Sequence, residues 1–335
     1  MARETVTIKN VAERANVSTA TVSRVLNNDP RVRKETRNVV LDAMNSLGYK
    51  LNFVARSLKT SRTHTIGVLS PDLSGDFFMF IAESMNRELT GRGYSLVVGT
   101  SQGSEEEEAR QIRHLAERLV DGIVLIPVGG SSAYLPQISA FNIPIVFVDR
   151  ILKGYKADKV LVDNEEGAYK AVSALIREGH HRIGFLGGNP EVTTAEERYE
   201  GYCRAMEEEG LEIEQKYVRF GNPTLPFGYR AMEEIMKDPY SPNTWFIVNV
   251  FTHLGATNYL ISEGGERAKQ ITFAAFDEMP YSPLLRYCRY AVQQPIAEMG
   301  KTAANLIIDR IEGKGPLEPQ TLRFKTRLIQ HTLVR

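Results

Sequence analysis

The sequence predicts a small all-α headpiece followed by a larger α/β region built as two lobes of parallel sheet. Three observations predict it. Apolar residues recur at helical spacing through residues 8–47, short apolar runs alternate with amphipathic stretches from residue 65 onward, and charge is divided unevenly between the two regions. Residues 1–64 hold 12 Lys plus Arg against 5 Asp plus Glu, and the remainder holds 29 against 36. A basic small region beside an acidic large one is the asymmetry expected when only the first part meets phosphate.

At 335 residues the chain is long enough for more than one domain and a large core. No run of about 18 apolar residues occurs, and Met1-Ala2-Arg3 leads inward without an apolar leader, so a cytoplasmic protein with no membrane partner is expected. Cys203 and Cys288 lack paired or metal-type spacing, so reduced thiols are expected. His180 and His181 join no His/Cys/Asp cluster, and no metal or cofactor is expected. The run Glu105 to Glu108 suits the positive end of a helix.

Taken in order, Ile8, Val11, Ala12 and Ala15 form one helix face with Thr7 before it as the cap. Asn16 then breaks the helix, because Asn tolerates the left-handed backbone of a tight turn. Ser18 caps a second helix over 19–26, whose Val22, Val25 and Leu26 turn inward. A third helix over about 34–47 carries Val40, Ala43, Met44 and Leu47 at helical spacing, with Gly48 as its C-cap. Two short helices joined by a tight turn and braced by a third make a helix-turn-helix. Thr19, Ala20, Ser23 and Arg24 lie on the outer side of the second helix, the side that enters a major groove. Arg24 can pair with guanine in a bidentate fork, and the methyls of Thr19 or Ala20 can meet thymine. A three-helix protein-binding module would show the same periodicity; the basic charge favours DNA.

These residues carry a resemblance. Thr7-Ile8, Val11-Ala12, the run Val17 to Asn27, Thr36-Arg37, Leu47-Gly48-Tyr49 and the run Asn52 to Leu58 are similar to the LacI/GalR family of bacterial regulators. The resemblance implies that Thr19, Ala20 and Arg24 read bases, while Thr7, Ser18, Asn27, Tyr49 and Asn52 meet the sugar-phosphate backbone. It also implies a hinge helix near 53–59. So short a helix is marginal alone in water and would order against its dimer mate and DNA. There Ala55 would let two hinges approach, Leu58 would wedge into a minor-groove step, and Arg56 and Lys59 would flank the groove. Leu51 departs from the family, which commonly has proline there.

After the polar link 60–64, strand-like runs stand at 65–69, 94–98, 122–127 and 144–149, with a helix of about 16 residues from Phe77. Following 161–163 the alternation restarts: helix 166–178, strand 182–186, helix 195–209, strand 245–248, helix 252–263, strand 271–276. Alternating β and α segments imply parallel sheets covered by helices, with ligands bound beyond the carboxyl ends of the strands. The expected organisation is a headpiece at 1–50, a hinge at 51–64 and an effector and dimerisation region at 65–335. Its first lobe takes about 65–163 and 294–327, its second about 164–293 and 328–335. The loops after the strands hold Ser70, Asp72, Asp76, Phe77, Phe78, Asp149-Arg150, Asn189, Arg198, Asn249 and Asp277. Carboxylates, amides and a guanidinium beside aromatic rings suit a polyhydroxylated ligand.

The resemblance extends through Val162 to Ala168, Gly179 to Gly188 and Gln294 to Gly300, and so covers nearly the whole chain. It implies a two-lobed fold like that of periplasmic binding proteins, with Phe77, Phe78, Asp149, Arg198, Asn249 and Asp277 lining an effector pocket. Ser70 and Asp76 complete the expected effector set. Val250 stands where relatives often have aspartate, and His253, one turn on, is the candidate replacement. Cys288 to Gln293 replaces a stretch often rich in proline and threonine, which would bring Arg289 or Tyr290 to the cleft mouth to favour an acidic ligand.

The reading is a ligand-responsive repressor of carbohydrate metabolism genes, not an enzyme, acting as a homodimer on a pseudo-palindromic operator under a sugar-like effector. Two rivals remain. An α/β hydrolase or sugar kinase with a DNA-binding leader would want a phosphate loop, a metal pair or a dinucleotide fingerprint, and the sequence has none of the three. A regulator signalled by a non-sugar metabolite or a phosphocarrier protein is separated from the main reading only by finding the ligand.

Overall fold

Local signals suffice for the first three helices of the computed structural model, which describes residues 6–26, 29–49, 62–118, 120–129, 132, 134–138 and 141–333. Helix α1 spans Ile8–Arg14, and the backbone N–H and hydroxyl of Thr7 both donate to Asn10 Oδ1, at 2.9 and 2.7 Å. Asn16 takes φ +50° in the turn. Helix α2 spans Thr19–Leu26, and the Thr21 N–H donates to Ser18 Oγ at 3.1 Å. Helix α3, Lys34–Leu47, ends at Gly48 with φ +60°, as a C-cap glycine should. Val11, Ala12, Ala15, Val22, Val25, Val40 and Ala43 form the core of this unit, which runs from Met1 to Thr63.

The second unit, His64–Arg335, holds two sheets. The first is made of β1 (Thr65–Ser70), β2 (Ser95–Thr100), β3 (Gly122–Leu125), β4 (Ile145–Val148), β5 (Asp158–Val162) and β11 (Thr321–Phe324). Its order is β11-β5-β4-β3-β1-β2 and every pairing is parallel. The second is made of β6 (Ile183–Gly187), β7 (Val218–Phe220), β8 (Thr244–Ile247), β9 (Thr272–Phe276), β10 (Cys288–Gln293) and β12 (Arg327–Gln330). Its order is β12-β10-β9-β8-β6-β7, with only β12 antiparallel. The inner strands are apolar and buried along their length, as parallel strands covered on both faces must be.

Helices α4 (Asp76–Gly91), α5 (Glu105–Glu117), α6 (Leu135–Ile138) and α12 (Ile296–Glu312) belong to the first lobe. Those of the second are α7 (Asn164–Arg177), α8 (Thr193–Glu208), α9 (Leu225–Lys237), α10 (Val250–Ser262) and α11 (Gly265–Ala268). Helices α9 and α10 pack closely because Gly228 and Gly255 lack side chains. A Cβ on either would fall 2.1 Å from a backbone oxygen of the other helix. The chain crosses between the lobes three times, after β5, after β10 and between β11 and β12. Val250 and Met279 of the second lobe share an apolar cluster with Ile66, Val68 and Phe77 of the first, so one side of the opening is closed by packing. No helix among the described residues is long and apolar enough to cross a membrane.

Candidate functional site

Nine of the parallel strands, β1 to β4 and β6 to β10, aim their carboxyl ends at one cleft of about 1060 Å³ between the lobes. Its walls are the residues that follow those strands: Pro71-Asp72 after β1, Gln102 after β2, Val128 after β3, Asp149-Arg150 after β4. From the second lobe come Gly188-Asn189 after β6, Asn222 after β7, Asn249 after β8, Asp277 after β9 and Gln294 after β10. Phe77, Phe78, Phe220 and Phe251 supply ring surface.

Asp149 and Asp277 turn sharply at their strand ends, with φ +65° and +75°. Asp is among the few residues that tolerate this backbone. Asp149 is 5% exposed, and its Oδ1 has no hydrogen-bond partner. Burial pushes its carboxyl up to about 6, against the opposing pull of the Arg150 and Arg198 guanidiniums. Arg150 Nε lies 3.5 Å from Asp149 Oδ2 but is also without a hydrogen bond. That guanidinium donates through Nη1 to the Pro127 carbonyl at 3.3 Å and stands 5.6 Å from the Phe78 ring centre.

Arg198 is held differently. Its Nε donates to Asn164 Oδ1 at 2.9 Å, its Nη1 donates to the Val248 carbonyl at 2.6 Å, and it stacks 3.7 Å over the Phe276 ring. Asn249 caps α10 by accepting from the Thr252 N–H at 2.9 Å. Asp277 Oδ1 accepts from Gln294 Nε2 at 2.7 Å, which leaves the buried Gln294 Oε1 without a partner. Below the first-lobe rim, Glu108 is fully buried, accepts from the Val128 N–H at 2.8 Å and takes the Tyr134 hydroxyl. Burial pushes its carboxyl up to about 7.

Of the expected effector residues, Phe77, Phe78, Asp149, Arg198, Asn249 and Asp277 lie together in this cleft. Ser70 and Asp76 are not among its lining residues. The Ser70 hydroxyl turns back to donate to the Asp72 carbonyl at 2.7 Å, and Asp76, at the start of α4, bonds the Tyr281 hydroxyl. The expectation for Arg289 and Tyr290 is also corrected. Cys288–Gln293 is a strand whose carboxyl end faces the cleft, and Arg289 sits at its amino end, away from it. Arg289 pairs with Glu178 at 2.6 Å, and the Tyr290 hydroxyl donates to the same carboxylate. His253 does not replace the missing aspartate. It is buried edge-on to Phe273, and burial pushes its imidazole down to about 4. Gln294 was not marked by the sequence as a cleft residue, because the strand before it was not legible. Phe220 ends the equally hidden three-residue β7, and Asn222 follows it.

In the headpiece, Thr7, Ser18, Thr19, Ala20 and Arg24 are exposed, and Ser23 and Tyr49 are half-buried. The α2 face away from Val22 and Val25 is thus open. Asn27, Asn52, Ala55, Leu58 and Lys59, with Leu51 and Arg56, lie outside the described residues.

Comparison with known proteins agrees with both halves. A family model described as "Bacterial regulatory proteins, lacI family" matches residues 7–52. A second, described as "Periplasmic binding proteins and sugar binding domain of LacI family", matches residues 63–332. The HTH-type transcriptional repressor PurR of Escherichia coli is 32% identical over 330 residues, spanning 98% of this chain and 96% of that protein. Among solved structures, a complex of the transcriptional regulator CelR with cellobiose is 28% identical, with a TM-score of 0.72 over 97% of this chain and 98% of that one. The lac repressor dimer bound to operator and an anti-inducer superposes with a TM-score of 0.85 over 98% of each chain. Its identity is 22%, so it speaks for the fold.

Proposed function

The chain belongs to the lacI family of bacterial regulatory proteins, and from that premise we propose that it is a ligand-responsive repressor of carbohydrate metabolism genes. It binds a two-fold operator as a homodimer, and a small, neutral, polyhydroxylated effector sets its affinity. One observation carries the effector class: Asp149 Oδ1, Arg150 Nε and Gln294 Oε1 are unpartnered polar atoms on residues that line one cleft. Two acceptors and one donor match hydroxyl groups, each of which can both donate and accept. The phenylalanine rings cover the less polar face of such a ligand. A neutral ligand suits the site because Arg150 already has Asp149 beside it and Arg198 is already bonded to a carbonyl and an amide. The description of the matched effector-region model and the cellobiose complex of CelR support a sugar.

Thr19, Ala20, Ser23 and Arg24 read the major groove, with Thr7, Ser18, Asn27, Tyr49 and Asn52 on the sugar-phosphate backbone and Ala55, Leu58 and Lys59 at the operator centre. The exposed outer face of α2 supports this. Closure of the lobes around the effector shifts the populations that bind DNA.

The test is thermal unfolding against a panel of neutral pentoses, hexoses and disaccharides beside sugar acids, sugar phosphates and nucleobases. A ligand at 100 times its Kd stabilises the native state by about 2.7 kcal/mol. A rise with a neutral sugar is the expected result. A rise confined to charged sugars or nucleobases overturns the effector class.

A further inference from the structure

Arg198, on the second-lobe wall of the cleft, is held by a chain of side chains that leaves the cleft and reaches the other lobe. Its Nε donates to Asn164 Oδ1 at 2.9 Å. The Asn164 amide nitrogen donates in turn to Glu197 Oε2 at 2.8 Å. Asn164 is 1% exposed, and its orientation is dictated from both sides, since a guanidinium can only donate and a carboxylate can only accept. Glu197 then accepts from Arg323, with Nη2 at 3.0 Å from Oε1 and Nη1 at 3.2 Å from Oε2, the parallel fork that suits a guanidinium.

Arg323 lies on β11, in the first-lobe sheet, whereas Glu197 and Arg198 lie on α8 of the second. Its Nη1 also donates to the Val162 carbonyl at 2.9 Å, where the first crossing leaves β5. Asp163, in that same crossing, has its carboxylate 4.0 Å from Arg323 Nε. The chain Arg323–Glu197–Asn164–Arg198 therefore spans two of the three crossings and ends on a cleft wall. We infer that Glu197 and Arg323 are positioning residues for Arg198. They strut the second-lobe wall against the first lobe and so tie the aim of that guanidinium to the closure of the cleft.

The roles differ along the chain. Asn164 transmits orientation only. Glu197 supplies both the acceptor that fixes Asn164 and the charge that holds Arg323. Arg323 supplies the anchor in the other lobe. Lys153 also reaches Glu196, next to Glu197 on α8, at 2.9 Å, an ion pair between exposed side chains. The inference rests on the reading of this cleft as the effector site for its functional meaning, but its test does not.

Electron–electron distances between spin labels on Arg113→Cys in α5 and Glu234→Cys in α9 report the separation of the lobes. The labels go on a chain carrying Cys203→Ser and Cys288→Ala, diluted with unlabelled protein and measured without any ligand or DNA. Glu197→Ala and Arg323→Ala are each expected to shift the distribution to longer, broader distances. The swap Glu197→Arg with Arg323→Glu restores part of the original distribution. Glu197→Gln, which can still accept from Asn164, gives an intermediate result. Unchanged distributions in both alanine variants overturn the strut, as does a widening that the swap does not reverse. The unfolding midpoint of each variant separates a loosened closure from a lobe that has failed to fold, and Arg323→Ala, whose side chain is half-exposed, is the variant to read if Glu197→Ala unfolds. Because no sugar enters the experiment, a failed effector screen leaves this result standing.

Discussion

On the second-lobe wall Arg198, Asn249 and Asp277 are already bonded to the protein, whereas on the first-lobe wall Asp149 and Arg150 each keep an unpartnered atom. Arg198 has an amide, a carbonyl and a ring, Asn249 caps its own helix, and Asp277 holds Gln294. Across the cleft, Asp149 Oδ1 and Arg150 Nε are buried without hydrogen bonds. The difference teaches where binding free energy arises. The second wall is preorganised and contributes geometry, because its groups need little rearrangement to meet a ligand. On the proposed reading the first wall would contribute new hydrogen bonds to groups that folding has stripped of water, and leaving such groups unpaired costs about 1–3 kcal/mol each.

The largest effect that would break this contrast belongs to Arg198. Arg198→Ala leaves the Val248 carbonyl and Asn164 Oδ1 buried without their donor, at about 1–3 kcal/mol apiece. Urea unfolding should show that loss with no effector present, and an unchanged midpoint would make the preorganised wall untenable. Asp149→Asn should behave in the opposite way. Asn accepts the left-handed backbone at this position, so folding should survive, and at pH 7 removal of a desolvated charge should not lower stability. Affinity for the effector should fall about 10- to 100-fold, the worth of a hydrogen bond to a charged group at about 1.5–3 kcal/mol. A variant that loses stability but keeps affinity would reverse the assignment of the two walls.

Titration sharpens the same contrast by a smaller amount. The Asp149 carboxyl moves from its ordinary 3.8 up to about 6 in the folded chain, so the folded state holds its proton more tightly than the unfolded state does. Its contribution to stability is fullest below about pH 4 and is lost as pH rises through about 6. Glu108, raised to about 7, pulls in the same direction, and His253, lowered to about 4, pulls the other way. The quantity to measure is therefore the difference in unfolding free energy between wild type and Asp149→Asn across pH 4–7, which should grow with pH. Effector affinity should rise over the same window, as Asp149 becomes an ionised acceptor. Smallest of all is Arg289→Ala. Its ion pair with Glu178 is partly solvated and remote from the cleft, so stability should fall by less than about 1 kcal/mol. Isothermal titration should find effector binding unaltered; a change there would return Arg289 to the site.

What the sequence made legible follows from how local each signal is. The headpiece helices run where periodicity and caps put them, with α2 and α3 matching at both ends, because Thr7, Ser18, Asn16 and Gly48 act within a few residues of themselves. The buried strands β1, β3, β4, β6, β8 and β9 were visible as apolar runs. The short edge strands β7, β11 and β12 were not, since none of their side chains is fully buried and they resemble loop. Strand β10 hid because Cys288, Arg289 and Tyr290 break its apolar pattern, and with it went the placement of Gln294. The cleft residues that the sequence marks either follow a legible strand, as Asp149, Asn249 and Asp277 do, or lie in the helix after one, as Phe77, Phe78 and Arg198 do. Those it misplaced, Ser70 and Asp76, stand beside the right strand end but turn toward partners in the loop or in the other lobe. Such a choice depends on tertiary neighbours such as Tyr281, which no spacing rule contains.

The pairing of β11 with the first sheet and β12 with the second bears on how the chain is made. Only Lys325 and Thr326 separate these two strands, yet each supplies the outer strand of a different lobe. A ribosome must therefore release residues 321–330 before either lobe can complete its sheet. At about 5–20 residues per second, the nascent chain spends roughly ten seconds to a minute with both lobes unfinished. The headpiece, built from neighbours in sequence, has no such wait. A premature stop near residue 320 would spoil both lobes at once and leave only the three-helix unit with all its parts. During synthesis, the effector region is the part that needs shelter from aggregation.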